Sequence, residues 1–248
     1  MILFGFGKKK EDAAAAAAPT ATPRAVMSVS VSETGLVRED NQDHLFVDDE
    51  RLVYCVADGV SGGDDGAYAS EIVCANLKMV VYAAADDFKS RVAAVQKAIE
   101  DANAILYAQG LERGGGTHVA STLAVLVLDP ANPRHAAICH VGDSRIYRFR
   151  RGMPDLLTHD HRRAAGDSVL TRAIGAAESV ETDWTEIEST DGSRFLLCTD
   201  GVHDLVSAGR LAVYACAAPT LDEAAKRISA DVVRRGAPDN YSFVLLSV

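Results

Sequence analysis

Leu52-Val53-Tyr54-Cys55-Val56-Ala57-Asp58-Gly59 is an apolar run that stops at a carboxylate and a glycine. A short apolar stretch bounded by turn residues reads as a buried strand. Upstream, His44 to Asp48 makes another strand, and the acidic turn Asp48-Asp49-Glu50 joins the two as a hairpin. Downstream, Gly59 to Gly66 is a loop dense in Gly and Asp. Further out, Phe195-Leu196-Leu197-Cys198-Thr199-Asp200-Gly201 repeats the pattern of apolar run, Asp and Gly. Val26 to Val31 alternates, which predicts a strand with one buried face. Val119 to Leu128, Ala136 to Val141, Arg145 to Arg150, Trp184 to Glu188, Arg194 to Cys198 and Tyr241 to Val248 predict the remaining strands. Ala67 to Ala84 and Phe88 to Tyr107 are Ala-rich with helical apolar spacing, and Leu221 to Arg234 is a third helix. Clustered strands with long helices among them imply an α+β fold of mostly antiparallel sheets, helices on the outer faces.

The chain has 248 residues, 48% hydrophobic and 24% charged, which suits one large domain or at most two small ones and argues against global disorder. Lys and Arg number 25 against 35 Asp and Glu, a net charge of −10. No nucleic-acid partner is expected, because phosphate contacts need basic side chains. The acid excess leaves two readings, a solubility surface or carboxylates gathered around divalent cations. The five cysteines (Cys55, Cys74, Cys139, Cys198 and Cys216) include no C-x-x-C pair. Four of them lie in apolar runs, so buried reduced thiols and a cytoplasmic location are expected. No stretch reaches the ~18 apolar residues of a membrane span. Lys8-Lys9-Lys10 follows the apolar start instead of preceding it, the wrong order for a signal peptide. Residues 1–24, Ala-, Thr- and Pro-rich from Glu11 onward, are expected to form a disordered low-complexity tail, and 25–248 the folded domain.

The acids at strand ends carry the chemistry. Asp43 opens a strand, Asp58 closes one, Asp143 sits in a turn between two, Asp200 follows another, and Asp239 precedes the last. A carboxylate at the end of a buried strand costs free energy unless it is paired or bound to a metal. A neighbouring glycine lets the backbone turn sharply and bring its carbonyl close to a ligand. Several such acids at one edge would repel one another, which hard divalent cations relieve. Singly, each Asp-Gly is explained by turn chemistry. Zinc spacing of His or Cys is absent from the sequence.

Seven motifs occur in order: Arg38-x-x-Asn41-Gln42-Asp43, Val56-Ala57-Asp58-Gly59, Gly142-Asp143-Ser144-Arg145, Leu157-Thr158-His159-Asp160-His161, Leu170-Thr171-Arg172-Ala173-Ile174-Gly175, Leu197-Cys198-Thr199-Asp200-Gly201 and Asp239-Asn240. Together they resemble the signature set of the metal-dependent protein phosphatases, the PPM or type 2C Ser/Thr family, in its bacterial form. The resemblance runs from about Val31 to Val248. It implies a four-layer α-β-β-α sandwich with two central sheets. It also implies a Ser/Thr phosphatase that uses two Mn²⁺ or Mg²⁺ ions and a metal-activated bridging water. The substrate would be a phosphorylated protein of a cognate Ser/Thr kinase, and the enzyme a monomer. By match to the motifs, Asp58 would bridge the two metals with the Gly59 carbonyl beside it. Asp43, Asp200 and Asp239 would complete the shell, and Asp143 with Asp200 would hold a third, weaker metal. Arg38 would grip the substrate phosphate.

Three departures stand out. The loop Asp58-Gly59-Val60-Ser61-Gly62-Gly63 lacks the His found there in many eukaryotic members, so leaving-group protonation would fall to a metal-bound water. His203 is the outside candidate for that proton, against a surface or capping role. Only eight residues, Arg162 to Val169, stand where the family usually has a much longer flap, so an unusually open site is expected. Gln42 replaces the Glu of some members. Gly114-Gly115-Gly116-Thr117 lacks the ending of a phosphate-binding P-loop and reads as a hinge. Arg148, Arg150 and Arg151 read as a solvated edge. A catalytically silent regulatory or binding module is the competing reading, and an enzyme dedicated to an anti-sigma antagonist is a narrower version of the first.

Overall fold

The computed structural model describes residues 26–60, 64–114, 119–132, 134–164, 169–188 and 192–248, so the expected tail of residues 1–24 lies outside the described residues. The first sheet is built from β2 (Asp43–Asp48), β3 (Val53–Asp58), β4 (Leu123–Leu128), β5 (His135–Val141) and β8 (Asp183–Glu188), in the order β2-β3-β4-β5-β8. The second is built from β1 (Met27–Glu33), β6 (Arg145–Arg150), β7 (Met153–Leu156), β9 (Arg194–Cys198) and β10 (Tyr241–Ser247), in the order β1-β10-β9-β6-β7. Every neighbouring pair is antiparallel.

The apolar runs are continuous because the central strands are buried on both faces. In β3, Val53, Cys55 and Ala57 face the helices, while Tyr54 and Val56 face the opposite sheet. In β10, Tyr241, Phe243 and Leu245 face helices, while Val244 and Leu246 face the sheet. The helices α1 (Asp64–Ala83) and α2 (Phe88–Glu112) cover the first sheet with Val73, Leu77, Ile99 and Leu106. The helices α4 (Ala208–Ala217) and α5 (Leu221–Arg234) cover the second with Leu211, Ala215, Ile228 and Val232. These are the four layers expected from the resemblance. A one-turn helix, α3 (Asp200–His203), joins β9 to the helical layer.

Several boundaries differ from the sequence reading. The loop expected to reach Gly66 ends earlier, because α1 starts at Asp64. The strand expected from Val119 begins at Leu123. Ser121 instead makes isolated bridges to both Gly59 and Ile174, which tie the site's loops together. Arg148 is not a solvated residue: its side chain is 12% exposed, and it bonds Asp155 on β7 and the Glu188 carbonyl on β8 of the other sheet. Gly114 is described, but the rest of the Gly-rich hinge lies outside the described residues. Cys55, Cys74, Cys139 and Cys198 are buried and free, and Cys216 is free and exposed. Among the described residues no helix is long and apolar enough to cross a membrane.

Candidate metal centre

The β2–β3 ladder places Asp43 directly opposite Asp58. Like charges in that position destabilise a sheet. The backbone of Asp58 is nevertheless held on both sides of its peptide. Its N–H donates to Thr122 Oγ1 at 3.0 Å, and its carbonyl accepts from Thr122 N–H at 2.8 Å. Ser144 Oγ lies 2.7 Å from the same Thr122 hydroxyl, so the Gly-Asp-Ser-Arg turn supports the strand that carries Asp58.

Two glycines bring the other carboxylates in. Gly142 takes φ +97°, a left-handed conformation that favours glycine, and a Cβ there would stand 2.7 Å from the Thr122 methyl. That turn aims Asp143 back at β3. At Gly201 a Cβ would stand 1.9 Å from the Asn240 carbonyl oxygen, so only glycine lets α3 lie against the Asp239-Asn240 turn. Asn240 then ties the preceding loop to the site. Its Nδ2 donates to the Thr34 and Asp40 carbonyls, both at 2.8 Å, and its Oδ1 accepts from Gln42 N–H at 2.9 Å.

The result is a cleft of about 190 Å³ whose lining includes Arg38, Asp58, Gly59, Asp143, Asp200 and Asp239. Asp43 lies beneath it, 4% exposed. All the candidate residues therefore come to one place. Thr199 Oγ1 donates to Asp43 Oδ2 at 2.9 Å, while Oδ1 is buried with no hydrogen-bond partner. An orphaned carboxylate oxygen is costly unless something positive meets it. Burial, then repulsion from Asp43, Asp200, Asp143 and Asp239, drives the Asp58 carboxyl well above its ordinary range. Burial, then Asp143, Asp239 and Asp204, lifts Asp200 to about 7. Burial lifts Asp43 to about 6.

Oxygen donors of this kind, with an orphan among them, fit hard divalent cations such as Mn²⁺ and Mg²⁺. The described residues also contain one tight triad, His140, His161 and Asp183, whose ligand atoms lie within 4.8 Å of one another. As hydrogen-bonded here, His161 offers a metal no free lone pair, although both ring nitrogens of His140 are buried without partners. His161 Nδ1 accepts the Gly142 N–H at 3.1 Å, so the ring proton is on Nε2, which donates to Asp183 at 3.1 Å.

Arg38 stands at the rim, 49% exposed, and its fork meets Asp239 at 2.8 and 2.9 Å. Arg145 makes a bidentate pair with Asp160 at 2.8 and 2.7 Å, so these two motif residues act as a strut. His203 is neither on the surface nor a cap: it is 7% exposed, and its Nε2 donates to the Asp143 carbonyl at 3.0 Å. Its Nδ1 lies 3.1 Å from Asp204 Oδ1, so both ring nitrogens face protein oxygens, and His203 is not among the residues that line the cleft. Sequence reading missed Arg162. Its side chain, 7% exposed, reaches Asp143 at 2.5 Å, Asp200 at 3.3 Å and Asp204 at 3.6 Å. The available signal was its place as the first residue of the shortened flap segment.

The sandwich, the seam of carboxylates and the ordered motifs define a phosphatase fold class, and the chain belongs to the protein phosphatase 2C family, whose description matches residues 29–235. It is similar to the serine/threonine protein phosphatase PstP of Mycobacterium tuberculosis, 30% identical over 240 residues that cover 88% of this chain and 44% of PstP. The chain thus spans less than half the length of that relative. It is 26% identical to the serine/threonine phosphatase stp of Listeria innocua, covering 87% of this chain and 93% of that protein. Among solved structures it resembles PppA of Pseudomonas aeruginosa, described as a key regulatory component of T6SS, with a TM-score of 0.83, 26% identity, and coverage of 90% of this chain and 98% of that one. It also resembles the PstP catalytic domain in complex with two manganese ions, with a TM-score of 0.77, 26% identity, and coverage of 90% and 97%.

Proposed function

We propose that this chain is a metal-dependent phosphatase that hydrolyses phosphoserine and phosphothreonine in proteins. One observation carries the reading. Asp43 and Asp58, opposite on one sheet, meet Asp200 and Asp239 from the other around a cleft with an arginine at its rim. Asp43, Asp58, the Gly59 carbonyl, Asp200 and Asp239 would hold two Mn²⁺ or Mg²⁺ ions. When bound, such ions supply Lewis-acid polarisation of the phosphoryl group and a nucleophilic water near neutral pH.

The protein's own part is positional. The β2–β3 register fixes two ligands at a set spacing, and Thr199 orients one oxygen of Asp43. Asp239 holds the Arg38 guanidinium facing the cleft, where it would take phosphate oxygens and offset charge that grows on them. Among the described residues the cleft lining contains no cysteine, so the proposed nucleophile is water and not a thiol. A phosphoprotein of a cognate kinase as substrate, a cytoplasmic monomer as the working form, and residues 1–24 as a tail outside the catalytic domain belong to the same proposal.

The test is hydrolysis of p-nitrophenyl phosphate and a phosphothreonine peptide with Mn²⁺, with Mg²⁺ and with EDTA. Turnover of both that needs metal supports the proposal. Absence of turnover in protein that binds metal refutes it and leaves the silent regulatory module.

A further inference from the structure

The resemblance assigns Asp143 and Asp200 to a third, weaker metal. The side chains in that place fit one poorly, because a buried cation already bridges the two acids, whereas Arg38, half-exposed at the rim, meets Asp239 alone. Arg162 puts Nε on Asp143 Oδ2 at 2.5 Å and Nη2 on Asp200 Oδ2 at 3.3 Å, and Nη1 stands 3.6 Å from Asp204 Oδ2. The guanidinium thereby takes one oxygen of Asp143 and one of Asp200 and bridges the two acids, where an ion shared by them would have to come. The guanidinium lies between three acids drawn from the β5–β6 turn and from both ends of α3. Its side chain is 7% exposed, so it is not a surface arginine that happens to lean inward.

The backbone explains why it stays. His161 N–H donates to the Gly142 carbonyl at 2.7 Å, and Thr171 N–H donates to the His161 carbonyl at 2.7 Å. Arg162 itself pairs with Leu170, so the eight-residue segment leaves and returns at the same point. With so short a connection, the residue directly after His161 is delivered to the carboxylates at the root of the segment. A cation tied to the chain competes with a dissolved one at an effective concentration in the millimolar range. Unlike Lys or His it cannot lose its charge by deprotonation.

We infer that Arg162 is a built-in replacement for the third metal, and that this chain is a two-ion enzyme whose remaining charge is balanced by its own guanidinium. The inference rests on the reading of the cleft as a metal centre. It makes the shortened flap and the arginine one device: where the flap is lost, its root supplies the charge.

The test counts ions. The full chain is dialysed to equilibrium against Mn²⁺, and bound manganese per chain is measured by atomic emission. The wild type is expected to hold two ions, Arg162→Gln three, and Arg162→Lys, which keeps the charge, two. Asp143→Asn, in an otherwise wild-type chain, is expected to leave the count at two and to remain informative if the Arg162 variants do not fold. Three ions in the wild type, two in Arg162→Gln, or one in Asp143→Asn would overturn the inference alone. No bound manganese in the wild type would overturn the metal centre itself, and the inference with it.

Discussion

Asp58 is the residue on which charge, strand pairing and ligand geometry converge. It is pushed towards protonation by burial and by four neighbouring acids, a state that only a cation reverses. Asp58→Asn should therefore lower turnover by more than about 100-fold, beyond the usual loss from disturbing a ligand's support. The same variant should melt higher than wild type in EDTA, because the repulsion is removed. Retained turnover in steady-state assays would contradict the bridging role. Arg38→Ala should act differently. A half-exposed charge-assisted contact is worth about 1.5 kcal/mol, so KM should rise about tenfold while kcat falls less. Initial rates across phosphopeptide concentration separate the two. At this scale the sequence was legible wherever an acid sat at a strand end beside glycine. It was silent on Arg162, whose role depends on where an eight-residue loop starts, and misleading on His203, whose ring is turned to the Asp143 carbonyl.

Elements were legible where local chemistry and packing agree. α5 was read over its full span, Leu221 to Arg234. Thr220 accepts the Glu223 N–H at its start, and Leu221, Ala224, Ala225, Ile228 and Val232 form its buried stripe. β7 was missed because it contains Pro154, which only an edge strand tolerates, and β7 is the edge of its sheet. α4 was missed too, and Gly209 in its first turn hides its helical character. α2 runs past Tyr107 to Glu112 because Gly110 is buried within the helix and does not end it. The tight seat of α3 gives a sharp expectation. Gly201→Ala pushes a methyl into the Asn240 carbonyl, so it should cost about 1–3 kcal/mol as overpacking. That corresponds to a Tm lower by several degrees in a differential scan, about 2–4 °C per kcal/mol for a chain of this size. An unchanged Tm would mean that α3 does not bear on that turn.

Across the whole molecule, folding gathers acids that the unfolded chain keeps apart. Asp43 sits near 6 and Asp200 near 7 in the folded protein, against 3.8 when free. The native state thus holds protons over a range where the unfolded chain has released them, and stability falls as pH rises across it. In EDTA the Tm should decline between about pH 4 and pH 7, and saturating Mn²⁺ should flatten the decline at neutral pH. A metal-free Tm that rises over the same range would reverse the sign and refute the electrostatic picture. The four layers themselves could not be derived from periodicity, because strands buried on both faces lose the alternation that marks a sheet's two sides. The order of the motifs supplied what the periodicity lacked.

The carboxylates of the cleft come from both sheets: Asp43 and Asp58 from β2 and β3, Asp200 and Asp239 from the ends of β9 and β10. Ions held among them would be rivets through two plates. Sliding one sheet along the other would have to tear several oxygen–metal bonds at once, whereas peeling a helix from either face would tear none. A chain stretched in an optical trap should accordingly resist shear between β3 and β10 with a larger rupture force in Mn²⁺ than in EDTA. Its α5 should unfold at the same force in both.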